Sequence, residues 1–174
     1  NVPCFKIASC EITDHILLKK IAETKKPVII SSGMASLGEL EEAVSILRKY
    51  GNPEIAMLKC TAEYPAQPDD ANLITIKHMI DTFNVVGGLS DHTLGITAAI
   101  VAAALGVRII EKHFTLSRGD KGPDSEFSVE PAELKALVEG TKEAWLSLGN
   151  ENFSRPAVES SSLAFRRSIY FVRS

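Results

Sequence analysis

One unit recurs five times along this chain: a short β-branched or apolar run, a polar loop, then an amphipathic helix. The runs fall at residues 5–8, 28–30, 55–59, 85–89 and 107–110, so strands start roughly every 20–30 residues. Strands alternating with helices at that beat define a parallel α/β architecture, because parallel neighbours need a crossover and a helix supplies it. The helix signals agree. Ser36-Leu37-Gly38-Glu39 has the form of a capping box before Leu40, Ala43, Val44 and Leu47, which share one helical face. Pro131 suits the first turn of a helix carrying Leu134, Leu137, Val138 and Trp145, and Gly106 and Gly149 stand where helices end.

Composition excludes several classes. With 174 residues, 45% of them hydrophobic and 24% charged, the chain can bury one sizeable core. A net charge of −3 offers no basic field for nucleic acid. No apolar run approaches the roughly 20 residues that span a bilayer, and no secretory leader is visible, which predicts a cytoplasmic protein without membrane contact. Cys4, Cys10 and Cys60 are odd in number and sit in or beside strand-like runs, as buried thiols in a reducing compartment do. The chain opens at Asn1 directly into a strand, which predicts a fragment. Residues 150–162, rich in Ser, Asn and Glu with Pro156, read as a linker, and residues 163–172 read as apolar and β-prone.

Two histidines carry the chemistry. His92 and His113 each close a strand-like run, and one short apolar helix (97–105) lies between them. A right-handed crossover makes those strands parallel, so both imidazoles reach the C-terminal edge of the sheet. On neighbouring strands they come within reach of one metal ion, half of a catalytic site whose other positions fall to water and substrate. Polar side chains follow the other strands too: Ser9, Ser31, Thr61 with Tyr64, and Ser90. A barrel gathers such loops around one mouth, whereas an open sheet spreads them along a crevice. The expected fold is therefore α/β of the (β/α)8 TIM-barrel type, with the last five β-α units present and the first three missing.

The motifs Lys6-Ile7-Ala8-Ser9, Ser31-Ser32-Gly33-Met34, Lys59-Cys60-Thr61-Ala62-Glu63-Tyr64-Pro65, Gly88-Leu89-Ser90-Asp91-His92-Thr93, Glu111-Lys112-His113-Phe114 and Gly122-Pro123-Asp124 occur in that order. Their sequence resembles the sialic acid (nonulosonic acid) synthase family from Phe5 to about Tyr170. Lys59-Cys60-Thr61, Asp124-Ser125-Glu126-Phe127-Ser128 and Arg167-Ser168-Ile169-Tyr170 look most like pseudaminic acid synthases. The resemblance implies condensation of phosphoenolpyruvate with an N-acylated hexosamine in its open-chain aldehyde form, with release of phosphate, in the biosynthesis of bacterial surface carbohydrates. N-acetylneuraminate and legionaminic acid synthases are the alternatives.

It also implies a divalent cation, Mn²⁺ or Mg²⁺, on His92 and His113, acting as a Lewis acid on the sugar aldehyde. Two imidazoles with oxygen ligands suit Mn²⁺, although ligand type does not separate it from Zn²⁺ or Fe²⁺. Phosphoenolpyruvate is a dense anion, so Lys6 would supply charge, and the Ser9, Ser31, Thr61 and Ser90 hydroxyls would supply donors. Strand parity puts Ile109, Glu111 and His113 on one face and Lys112 on the other. Glu111 would then hold a metal-bound water or orient a ligand. Asp124, in a Gly-Pro turn, would bind substrate hydroxyls and help hold the metal through water, and Tyr64 would pack on the sugar's acyl group.

Against the family pattern, residues 1–149 correspond to the C-terminal part of the barrel and 150–174 to a linker toward an absent antifreeze-like domain. That domain lends an arginine to the neighbouring subunit in a swapped homodimer. A catalytic carboxylate expected from the first three units is also missing, and Ala62 stands where sialic acid synthases can carry a polar side chain. The chain by itself is expected to be nearly inactive. Two other classes stay open: a different metal-dependent barrel lyase or aldolase, and a truncated remnant that binds sugar or phosphate without turnover.

Overall fold

A computed structural model describes residues 2–51 and 54–166. Strands β1 (Phe5–Ile7), β2 (Val28–Ser31), β3 (Ile55–Cys60), β4 (Val86–Asp91) and β5 (Ile109–Lys112) form one parallel sheet in sequential order. Helices α1 (His15–Ala22), α2 (Leu37–Lys49), α3 (Thr75–Phe83) and α4 (Thr97–Ala104) make the crossovers, and α5 (Pro131–Leu148) follows β5.

The local chemistry explains these boundaries. Ser36 accepts from the Glu39 amide at 3.3 Å, and the Glu39 carboxylate accepts from the Ser36 amide at 2.7 Å, so α2 starts with two of its orphan donors satisfied. Those hydrogen bonds to Ser36 hold the Glu39 carboxyl below its ordinary range. Pro131 opens α5. Gly106, at φ 91°, closes α4, and the Val107 amide donates back to the Ala102 carbonyl at 3.3 Å. That bond commits Val107 to the end of the helix, so β5 starts at Ile109, two residues later than the apolar run suggests.

Alternate residues face opposite layers. Ile7, Val28, Ile30, Ile55 and Met57 pack with Leu18, Ala43 and Leu47 of α1 and α2 in the larger core cluster. Leu89, Ile76, Ala102 and Val107 form a second cluster under α3 and α4. The inner face is tight: a Cβ on Gly88 would lie 2.2 Å from the Leu58 side chain and 2.7 Å from the Ile109 carbonyl oxygen, so only glycine fits there.

The sheet is curved. Laid flat, the first and fifth strands would stand about 19 Å apart at the usual ~4.8 Å spacing, yet Lys6 of β1 and Glu111 of β5 approach to 3.6 Å across the inner face. Five β/α units thus form half of a TIM-type barrel, and the open-sheet alternative is removed. Residues 163–165, the start of the run expected to be β-prone, are not a strand. They close a 3-10 helix, Ala157–Phe165, started by Pro156, and among the described residues no strand pairs with them to satisfy an extended backbone. Residues 167–174 lie outside the described residues. Among the described residues, no helix is long and apolar enough to cross a membrane.

Candidate active site

The C-terminal ends of all five strands surround a cavity of about 330 Å³. Parity delivers its walls: Lys6, Ser31, Cys60, Ser90 with His92, and Glu111 with His113 all point inward. The Lys6 ammonium donates to Ser31 Oγ at 2.8 Å and faces Glu111 Oε2 at 3.6 Å. The Ser90 hydroxyl donates to Glu111 Oε1 at 2.7 Å. These four residues link β2, β1, β5 and β4 into one polar arc, with a cation and a carboxylate side by side. Ser9 joins from the loop after β1, accepting from the Gly33 amide at 3.0 Å. A side chain at Gly33 would collide with that hydroxyl at 2.7 Å.

The two imidazoles sit at one rim. Their ring centroids are 5.3 Å apart. An ion about 2.1 Å from one nitrogen of each ring places the centroids roughly 5 Å apart, so the pair fits a shared metal. His92 donates Nδ1–H to the Thr61 carbonyl at 2.8 Å, and His113 turns Nδ1 toward Asp124 Oδ2 at 3.6 Å. With Nδ1 of His92 committed to a carbonyl, its Nε2 is left as the ligating lone pair, the arrangement that orients metal-binding histidines. Among the described residues, no group of three or more His, Cys, Asp or Glu side chains is gathered as a metal cluster. The two imidazoles are thus the candidate ligands that the described residues bring together at this rim.

The rings titrate in opposite directions. For His113, burial and then the neighbouring His92 charge push the pKa down, outweighing Asp124 and Glu111. For His92, burial also works against protonation, but hydrogen bonds with Cys60 and the Thr61 carbonyl outweigh it and raise the pKa. The Cys60 thiol is lowered although burial opposes this, because bonds with His92 and Ser9 favour the thiolate. Tyr64 covers the pair, its ring 4.1 Å from His92 and 5.9 Å from His113. Burial, followed by the Cys60 charge, raises its phenol pKa.

One expected donor lies elsewhere. Thr61 has the outward parity of β3, and its hydroxyl donates to the Asp70 carbonyl at 3.1 Å. It meets the site only through the backbone oxygen that holds His92. The inward residue at that level is Cys60, its sulfur 3.9 Å from His92 Nδ1, which alternation from Leu58 through Cys60 to Ala62 would have revealed. Asp124 stands beside His113 rather than in the cavity wall.

Behind the rim, Asp91 and Lys112 form an ion pair at 2.8 Å with side chains only 1% and 4% exposed. Asp91 Oδ1 also accepts from the Thr93 amide at 2.9 Å and hydroxyl at 2.8 Å, and Lys112 donates to the Thr93 carbonyl. Each partner is the sequence neighbour of a site histidine, so this buried clamp ties the ends of β4 and β5 together.

Residues 1–153 match the model of the NeuB family. The chain is 43% identical over its whole length to the pseudaminic acid synthase of Helicobacter pylori, covering 50% of that protein. It is 42% identical over 97% of its length to the N,N'-diacetyllegionaminic acid synthase of Campylobacter jejuni, covering 49% of it. Among solved structures, the N-acetylneuraminic acid synthetase of Leptospira borgpetersenii, crystallised with citrate, superposes with a TM-score of 0.87 at 39% identity. That match covers 97% of this chain and 59% of the other. The chain belongs to the NeuB family and spans about half the length of the curated relatives it matches.

Proposed function

We propose that this chain is the metal- and anion-binding half of a nonulosonic acid synthase, which joins phosphoenolpyruvate to an N-acylated hexosamine. The observation that carries the proposal is the juxtaposition of the Ser31–Lys6–Glu111–Ser90 arc with the two imidazoles at one barrel mouth. In the overall reaction the enol carbon forms a bond to the aldehyde carbon, the aldehyde oxygen takes a proton, water is consumed and phosphate leaves. Lys6 and the Ser9 and Ser31 hydroxyls hold the phosphate and carboxylate of phosphoenolpyruvate, in a cavity where fixed donors act more strongly than in water. Glu111 keeps the Lys6 ammonium and the Ser90 hydroxyl oriented, and its Oε2 is the carboxylate oxygen placed to hold a proton in transit. Tyr64 and Phe127, rings 5.6 Å apart, cover the histidines and exclude water from that side. A divalent cation on His92 and His113, Mn²⁺ or Mg²⁺, would supply Lewis-acid polarisation of the aldehyde. Asp124, next to His113, is assigned to the hydroxyls of the sugar.

Identities of 43% and 42% to pseudaminic and legionaminic acid synthases stand too close to choose a sugar. The motifs Lys59-Cys60-Thr61 and Asp124-Ser125-Glu126-Phe127-Ser128 support the pseudaminic acid precursor. The test is phosphate release from phosphoenolpyruvate with Mn²⁺ and each of three sugars: N-acetylmannosamine and the di-N-acetyl precursors of legionaminic and pseudaminic acids. It is run on the chain alone and on the chain extended to the length of its relatives. Turnover in the extended protein, lost in a His92→Ala, His113→Ala variant, supports the proposal. Silence with every sugar in a folded, metal-loaded extended protein refutes it.

A further inference from the structure

Three lysines lie on strands, and two of them face carboxylates: Lys6 faces Glu111 at 3.6 Å and Lys112 faces Asp91 at 2.8 Å. Lys59 differs. Among the described residues it makes no ion pair, and its ammonium donates only to the Cys60 carbonyl at 3.2 Å and weakly to Thr61 Oγ1 at 3.5 Å. It lines a separate cavity of about 280 Å³ on the helical side of β3, between α2 and α3.

The charges lining this cavity favour an anion. No carboxylate lines it, and its titratable wall is Lys59 and His78. Helix α3 begins at the wall with Thr75, but its first amides are already taken, Thr75 donating to the Asn72 carbonyl and Ile76 to the Leu73 carbonyl at 3.0 Å each, so Lys59 is the group left to meet an anion. Burial lowers the Lys59 pKa, as expected for an ammonium with no counter-ion. The rest of the wall is apolar, chiefly Leu40, Met79 and Phe83. Inorganic phosphate would answer the charge but leave that surface unused.

We propose that this cavity is a binding site for a small organic monocarboxylate. The carboxylate pairs with Lys59, and a short hydrocarbon chain lies against Leu40, Met79 and Phe83. The volume is at the small end for ligand pockets, which suits a compact acid. The inference does not rest on the synthase reading.

Calorimetric titration of the protein with acetate, butyrate, hexanoate and inorganic phosphate tests it, together with the rate at which acetic anhydride acylates Lys59, read by mass spectrometry. Affinity is expected to rise at least ~10-fold from acetate to hexanoate, and to fall at least ~10-fold for hexanoate in Lys59→Met. Hexanoate is expected to slow Lys59 acylation in the unaltered protein, a readout that needs no variant. Phosphate binding in preference to hexanoate, hexanoate binding unchanged in Lys59→Met, or acylation indifferent to hexanoate would each overturn the proposal.

Discussion

Replacing Lys112 by Met removes one partner of a buried ion pair and leaves the other. Asp91, 1% exposed, would keep its bonds from Thr93 on Oδ1, but Oδ2 would face the helical layer with no cation. The Thr93 carbonyl would also lose its donor. Stranding one charge of a buried pair costs about 3–5 kcal/mol, a large part of the roughly 5–15 kcal/mol that holds a typical domain. At about 2–4 °C per kcal/mol for a chain of this size, the midpoint should fall by roughly 6–20 °C. The double variant Asp91→Asn, Lys112→Met removes both charges while keeping an acceptor for Thr93, and should recover most of that loss. The assay is urea unfolding followed by far-UV circular dichroism for both variants. A loss below ~1 kcal/mol in Lys112→Met, or a double variant no better than the single, would refute the reasoning.

Three further outcomes are expected. In metal-free protein, His113 has a lowered folded pKa, so the unfolded chain takes up its proton first as pH falls. Its contribution is present above the ordinary value near ~6.5 and declines as pH drops through that value. His92, raised in the fold, contributes below its unfolded pKa and loses that contribution as pH rises through the folded value. Relative to the unaltered protein, His113→Asn should therefore gain stability between pH 7 and 5.5 and His92→Asn should lose it; denaturant midpoints across that range moving the other way would contradict the assignment. Gly88→Ala should destabilise by about 1–3 kcal/mol, because its Cβ meets Leu58 at 2.2 Å and the Ile109 carbonyl at 2.7 Å, measured by the same unfolding assay. Lys6→Met should raise the dissociation constant for phosphoenolpyruvate at least ~10-fold by calorimetry, having removed the charge that faces Ser31 and Glu111.

Much of the fold was legible because its signals are local. The Ser36–Glu39 box, Pro131 and Gly106 mark helix ends through chemistry confined to a few residues, and five repeats of strand and helix require a parallel sheet. Parity on the fifth strand likewise put Glu111 and His113 on one face and Lys112 on the other. The same parity, not carried to the third strand, would have chosen Cys60 over Thr61. Other features were hidden because they depend on distant residues. The Lys6–Glu111 approach requires the curvature of the sheet, and the Asp91–Lys112 clamp requires the register Asp91↔Lys112. The late start of β5 depends on Val107 closing α4, a competition between two backbone partners that an apolar run does not display.

The central claim is that the His92–His113 rim and the Lys6–Glu111 arc form one reaction site. Electron paramagnetic resonance of bound Mn²⁺, in protein carrying ¹⁵N-histidine and with phosphoenolpyruvate added, tests it most directly. The account expects nitrogen couplings from two imidazoles, one lost in each of His92→Ala and His113→Ala, together with a phosphorus coupling from the ligand that weakens in Lys6→Met. Mn²⁺ without histidine nitrogen, or with histidine nitrogen and no phosphorus nearby, would contradict it.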